Sequence, residues 1–171
     1  MGVSLRGVLF ALVVILSAAR SSSAAALEPI FPDSTFRGIT LGKSFTTTAA
    51  AQAGFQPAQS IPAEQSSSGQ AVLRFERAGP GGRVDFFEMS ATNRLVVASG
   101  WSRTASETEA ADVLADWCRR FGFPDDVIAE SGVRGVGWKD VAASLRLELV
   151  LQPGAGDKGD WELSGVLRRP R

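Results

Sequence analysis

Residues 104–124 read TASETEAADVLADWCRRFGFP. Two overlapping capping-box patterns, Thr104-x-x-Glu107 and Ser106-x-x-Glu109, mark a helix start, because a Ser or Thr hydroxyl and a Glu three residues on satisfy each other's free backbone N–H groups. Ala110, Leu114, Trp117 and Phe121 fall on one side of a helical wheel, flanked by Val113 and Cys118. Asp112, Asp116, Arg119 and Arg120 lie opposite. Gly122 stops the helix and Pro124 prevents its continuation.

The ending Phe121-Gly122-Phe123-Pro124 has an earlier counterpart in Ala53-Gly54-Phe55-Gln56-Pro57. A weaker helix is expected there over 45–53, capped by Ser44 and burdened by three consecutive Thr residues. Each ending precedes strand-like segments. In the first half these are 71–77, 83–90 and 95–102, joined by the Gly-Pro-Gly-Gly loop and the Thr92-Asn93 turn. In the second half they are 133–139, 144–152 and 159–168. Residues 144–152, SLRLELVLQ, alternate Leu145, Leu147, Leu149 and Leu151 inward with Arg146 and Glu148 outward. Trp161, Leu163 and Val166 are the expected buried residues of the last strand. Residues 56–70, rich in Ser, Gln, Pro and Ala, read as a long exposed loop.

The expected fold is therefore α+β. Two helix-plus-three-strand units, 36–102 and 104–168, form an antiparallel sheet with two helices packed on one face, within one domain spanning 36–171. Neither half is large enough to hide its apolar face alone.

Residues 1–26 read as a cleavable signal peptide. Arg6 supplies the positive start, 7–19 form an apolar run too short to span a bilayer comfortably, and Ala24-Ala25-Ala26 suit cleavage before Leu27. Residues 27–35, with Pro29 and Pro32, are an extended lead-in. The expected location is periplasmic or secreted, with no transmembrane helix after cleavage. Lys and Arg total 18, as do Asp and Glu. Losing Arg6 and Arg20 with the leader leaves 16 basic residues against 18 acidic ones, a balance that gives no general attraction to nucleic acid.

The chain of 171 residues has no His and one Cys. These counts exclude a Ser-His-Asp triad, a Cys-His pair, a His-ligated metal and an internal disulfide. Cys118 reads as a small buried hydrophobe, with an intermolecular disulfide as the alternative. Gly42-Lys43-Ser44 lacks the Gly that a phosphate loop needs five positions earlier, where Arg37 stands, and reads as a turn leading into a helix. Asp125-Asp126 reads as a turn, and Asp157 with Asp160 has too few ligands for Ca²⁺. Arg168-Arg169-Pro170-Arg171 reads as a solvated basic tail. Trp101, Trp117, Trp138 and Trp161 read as core anchors.

The segment Gly38-Ile39-Thr40-Leu41-Gly42-Lys43-Ser44, followed by a helix ending Ala53-Gly54-Phe55, resembles the opening of small exported bacterial domains. These are the SmpA/OmlA (BamE-like) envelope proteins and the domains built like beta-lactamase inhibitor protein. Phe121 to Pro124 before the strand bearing Trp138 repeats that pattern. The resemblance implies helices packed on an antiparallel sheet and a role in binding other envelope proteins. The chain departs from the BamE-like members in lacking a lipoprotein Cys, and in carrying Thr46, Thr47 and Thr48 where the first helix usually has an acidic residue.

The functional expectation is a non-enzymatic, protein-binding or envelope-associated exported domain, without a cofactor or metal, whose partner is another envelope protein. Its binding surface would be the sheet face away from the helices, with Arg74, Arg94 and Arg146 as partner-binding residues. The alternative is a small-ligand carrier or a carboxylate-dependent enzyme, which would require convergent polar groups in a pocket.

Overall fold

The structure, a computed structural model, describes residues 34–63, 65–66, 69–130, 132–141, 143–154 and 161–169. The expected leader (1–26), most of the lead-in, the Asp157/Asp160 pair and the last two residues of the basic tail lie outside them.

Eight strands form one antiparallel sheet. In chain order they are β3 (Gln56–Ile61), β4 (Val72–Ala78), β5 (Val84–Ser90), β6 (Val96–Ala105), β7 (Asp126–Glu130), β8 (Val133–Asp140), β9 (Leu145–Pro153) and β10 (Trp161–Arg168). Their spatial order is β3-β4-β5-β6-β10-β9-β8-β7. Two four-strand meanders thus meet at the β6–β10 pair, where Trp101 lies opposite Gly165 and Ser102 opposite Ser164. A separate hairpin of β1 (Thr35–Phe36) and β2 (Ile39–Thr40) precedes them. Helix α1 (Thr47–Gln52) and helix α2 (Glu107–Phe121) are the two α-helices of the described residues.

This corrects the α+β expectation. About half of the described residues are strand, and the frame of the molecule is the eight-stranded sheet. The difference comes from two edge strands. β3 occupies the segment expected to be a loop. Its side chains are exposed at every position but the last, so no alternation betrays it. An edge strand also tolerates Pro57, whose missing N–H leaves no inner ladder position empty, and the register shifts between Pro57 and Gln59. At the other edge, β7 starts at Asp126, where a turn was expected. Each meander consequently has four strands, not three.

Helix α2 forms as its signals require. The Ser106 hydroxyl accepts from Glu109 N at 3.3 Å, and the Glu109 carboxylate accepts from Ser106 N at 2.8 Å. Gly122 ends it at φ 77°. Helix α1 is only six residues long, and its cap is Thr46, not Ser44. Ser44 instead forms an isolated bridge to Leu95.

The core lies on the α2 side of the sheet. Leu145, Leu147, Leu149 and Leu151 of β9 are all buried there, each contributing about 1.5–3 kcal/mol relative to exposure. Trp117 of α2 packs against Trp101 and Trp138, with ring centroids 6.2 and 5.7 Å away. Gly165 makes this seating possible, since a Cβ there would lie 2.6 Å from Trp117 Cη2. In the first meander Phe87 is the hub, 5.1 Å from Phe45 and 5.0 Å from both Phe55 and Phe75. Phe55 is fully buried, whereas Phe123, its counterpart after α2, is exposed. Trp101, Trp117 and Trp138 are buried and Trp161 is half-buried. Cys118 is half-buried beside the cluster, and burial pushes its thiol pKa up.

Candidate functional site

The alternation that turns the β9 leucines inward turns Arg146, Glu148, Val150 and Gln152 to the opposite face. The same parity operates on every strand, and the cross-strand registers then assemble rows that no single segment contains. One row runs Arg74, Glu88, Ala98, Arg168, Arg146, Lys139 across β4, β5, β6, β10, β9 and β8. The next runs Glu76, Phe86, Gly100, Val166, Glu148, Gly137, Asp126. The first row is mainly cationic, and the second supplies most of the carboxylates that hold it.

Ion pairs join the rows. Arg74 Nε lies 2.7 Å from Glu76 Oε1, and Arg74 Nη1 lies 3.6 Å from Glu88. Arg168 meets Glu148 at 2.5 Å, and Arg146 Nε lies 2.9 Å from the same carboxylate. Arg146 and Lys139 both reach Asp126, at 3.3 and 3.0 Å. Close as it is to Glu148, Arg146 Nε makes no hydrogen bond with suitable angles, and neither does buried Arg168 Nε. The Arg74 guanidinium also sits 3.7 Å from the centre of the Phe86 ring, a cation–π contact made by its face while its N–H edge points to Glu76 and Glu88.

Glu88 and Glu148 are buried beneath the basic side chains. Burial raises the pKa of Glu88 above its ordinary value, and Arg74 and Arg168 pull it back only in part. Small residues Gly100, Ser102 and Ser164 keep the middle of the face low. A cavity of ≈ 220 Å³ opens there, lined by Arg74, Phe86, Glu88, Gln152, Ser164 and Arg168 among others. That is below the usual span for pockets that enclose a small ligand. Phe86, Ala98 and Val166 form a small apolar cluster on this face. Val166 is thus buried as expected, but on the opposite side of the sheet from Trp161 and Leu163. The two buried carboxylates stand three strands apart, roughly 14 Å at normal strand spacing. An acid/base pair for glycoside hydrolysis needs about 5–10 Å.

Arg74 and Arg146 both lie on this face, four strands or roughly 19 Å apart. Arg94 does not. It occupies the exposed β5–β6 turn at φ 61°, where its carbonyl accepts from Phe45 N. Arg168, the last residue of the expected final strand and the first of the expected basic tail, sits in β10 at the centre of the row. The sequence singles out neither Glu88 nor Lys139 for this face, and Asp126, read there as part of a turn, is its third carboxylate anchor. The usable signal was parity: Glu162, Ser164, Val166 and Arg168 alternate with Trp161, Leu163 and Leu167. Gly42-Lys43-Ser44 cradles nothing, because Gly42 N donates to Val96 O and Lys43 O accepts from Val96 N.

Among the described residues, no group of three or more His, Cys, Asp or Glu side chains is placed to hold a metal ion, and no helix is long and apolar enough to cross a membrane. The chain matches no protein-family model, and no curated protein or solved structure is significantly similar to it.

Proposed function

We propose that this chain is an exported, non-enzymatic domain that binds another protein of the bacterial envelope through the open face of its sheet. The periplasmic or secreted location rests on the leader-like residues 1–26, and the envelope setting on the likeness of 38–55 and 121–138 to BamE-like and beta-lactamase-inhibitor-protein-like domains. The observation that carries the binding role is the row Arg74, Arg168, Arg146 and Lys139, spread over a wide, shallow face with carboxylates buried beneath it. Ion pairs hold the guanidinium groups in fixed positions, so ordering them on contact costs little side-chain entropy. A partner surface offering carboxylates or carbonyl oxygens would find donors already in place.

The experiment is affinity capture from an envelope extract with three versions of the chain. One stoichiometric partner should be retained by the wild type and by Arg94→Glu, and lost from the Arg74→Glu/Arg146→Glu double variant. Equal retention by the double variant would remove the open face from the reading. The mass of the exported protein's N-terminus checks the leader: it should begin at or near Leu27.

A further inference from the structure

The cavity on the open face lies where the two meanders join, and two uncommitted hydroxyls line it. Ser102 of β6 and Ser164 of β10 are direct cross-strand partners, and both face this space. Ser102 is only 9% exposed. Among the described residues neither hydroxyl has a hydrogen-bond partner. A hydroxyl set this deep ordinarily bonds to something, and the fold itself supplies nothing to this pair.

The walls are fixed before anything binds. Arg74 packs 3.7 Å from the centre of the Phe86 ring, and the ring is itself confined, its Cζ lying 2.8 Å from where a Cβ on Gly100 would stand. On the β9 side Gln152 Nε2 donates to Glu162 Oε2 at 3.1 Å. Arg74 pairs with carboxylates through Nε and Nη1, and Arg168 through Nη2. An arginine carries five N–H groups, and these pairs do not use them all. Glu88 and Glu162 set acceptors along the same cavity. At about 30 Å³ per water, its ≈ 220 Å³ holds about seven waters, the bulk of one sugar ring and not of a drug-sized molecule.

We propose that this cavity is a binding site for a neutral polyhydroxyl compound, a single sugar ring or a short polyol. Each hydroxyl of such a ligand can donate to Glu88 or Glu162 while accepting from Arg74, Arg168 or a serine. A phosphate or carboxylate would face two carboxylates, and an ammonium would face two guanidiniums. A hydrocarbon would leave the serines and the charged walls without partners. The site goes beyond the partner-binding role of this face and does not depend on it.

The test is NMR titration of the isotope-labelled full chain with glycerol, D-glucose, D-galactose and N-acetyl-D-glucosamine, beside glycine and inorganic phosphate. At least one neutral probe should saturate in the millimolar range and shift the amide signals of Ser102, Ser164 and the Gln152 side chain. Ser102→Ala/Ser164→Ala should weaken that probe about tenfold or more, as loss of two hydrogen bonds does. The same double variant should melt within about 2 °C of the wild type, because no protein partner is orphaned. Arg94→Gln should bind as the wild type does. Saturation by glycine or phosphate at these residues, with none by the neutral probes, overturns the proposal. So does binding of no probe, or neutral-probe binding that the folded double variant keeps. Capture of a protein through Arg74 and Arg146 needs neither serine, so these outcomes leave the partner-binding reading where it stands.

Discussion

Gly165 is the point where α2 rests on the sheet, and replacing it with Ala measures how tightly. A Cβ there would lie 2.6 Å from Trp117 Cη2, 2.7 Å from Trp101 Nε1 and 2.8 Å from Trp101 Cε2. Each approach is about 1 Å inside normal carbon contact. Trp117 is packed between Trp101 and Trp138, and Trp138 is itself tied down by Nε1 donating to Gly122 O at 2.8 Å. Overpacking of this kind costs about 1–3 kcal/mol. Ala in a strand recovers roughly 0.5–1 kcal/mol of the entropy that Gly loses. The net is a loss of up to about 2.5 kcal/mol, centred near 1 kcal/mol, which corresponds to a fall of roughly 3–4 °C in Tm for a domain of this size. Gly137→Ala is the control. Its nearest neighbours are the Arg146 guanidinium atoms at 3.0–3.1 Å, the far end of a flexible side chain on the open face. That variant should melt within about 2 °C of the wild type, because the Arg146 side-chain end has to give way only slightly and can keep its ion pairs with Asp126 and Glu148. Thermal unfolding followed by near-UV circular dichroism and tryptophan fluorescence reads both quantities, stability and the packing of the indole cluster. If Gly165→Ala melts at or above the wild-type temperature with an unchanged tryptophan signal, Trp117 is not seated on β10 as described.

Ser106→Ala removes the α2 cap and should cost about 1 kcal/mol in urea unfolding; by NMR it should raise the Glu109 pKa only in part, because the Ser106 hydroxyl is lost while the backbone N–H, the larger cause of the lowering, remains. Glu88 has a folded-state pKa raised above its ordinary 4.5, so its contribution to stability is present below that value and is lost as pH rises through the raised one. Glu88→Gln stays neutral, and Arg74 and Arg168 keep Glu76 and Glu148 as partners. Its urea midpoint should accordingly match or exceed the wild type at pH 7, and its stability should fall less between pH 4.5 and 7; a clear loss at pH 7 would mean that the ionised carboxylate stabilises the fold. Arg168→Ala should destabilise more than Arg94→Ala under the same denaturant series, since the first leaves buried Glu148 with Arg146 alone and the second removes an exposed turn side chain.

What was legible before the tertiary structure was local. The α2 start and stop are written in Ser106, Glu109 and Gly122, all within hydrogen-bond reach along the chain, and a helix uses only such near neighbours. The β9 comb of four leucines is as plain, because alternation is a property of one strand. The two edge strands were hidden for a related reason. β3 buries no side chain fully and β7 is only five residues long, so neither carries a full inward stripe, and pairing with β4 and β8 is what makes them strands.

The candidate site was legible only in part. Arg74 and Arg146 could be placed on an outward face by parity, but not beside particular carboxylates, and Arg94 was drawn in by its charge although the turn carries it off the face. The sequence by itself determined one helix, the leucine-lined strand and a chain with no imidazole. Only the tertiary structure decided that residues 74, 88, 168 and 146 share one row and that Arg94 lies off it. Those facts depend on cross-strand register between segments far apart in the chain, and register is fixed by the packing of both faces of the sheet together.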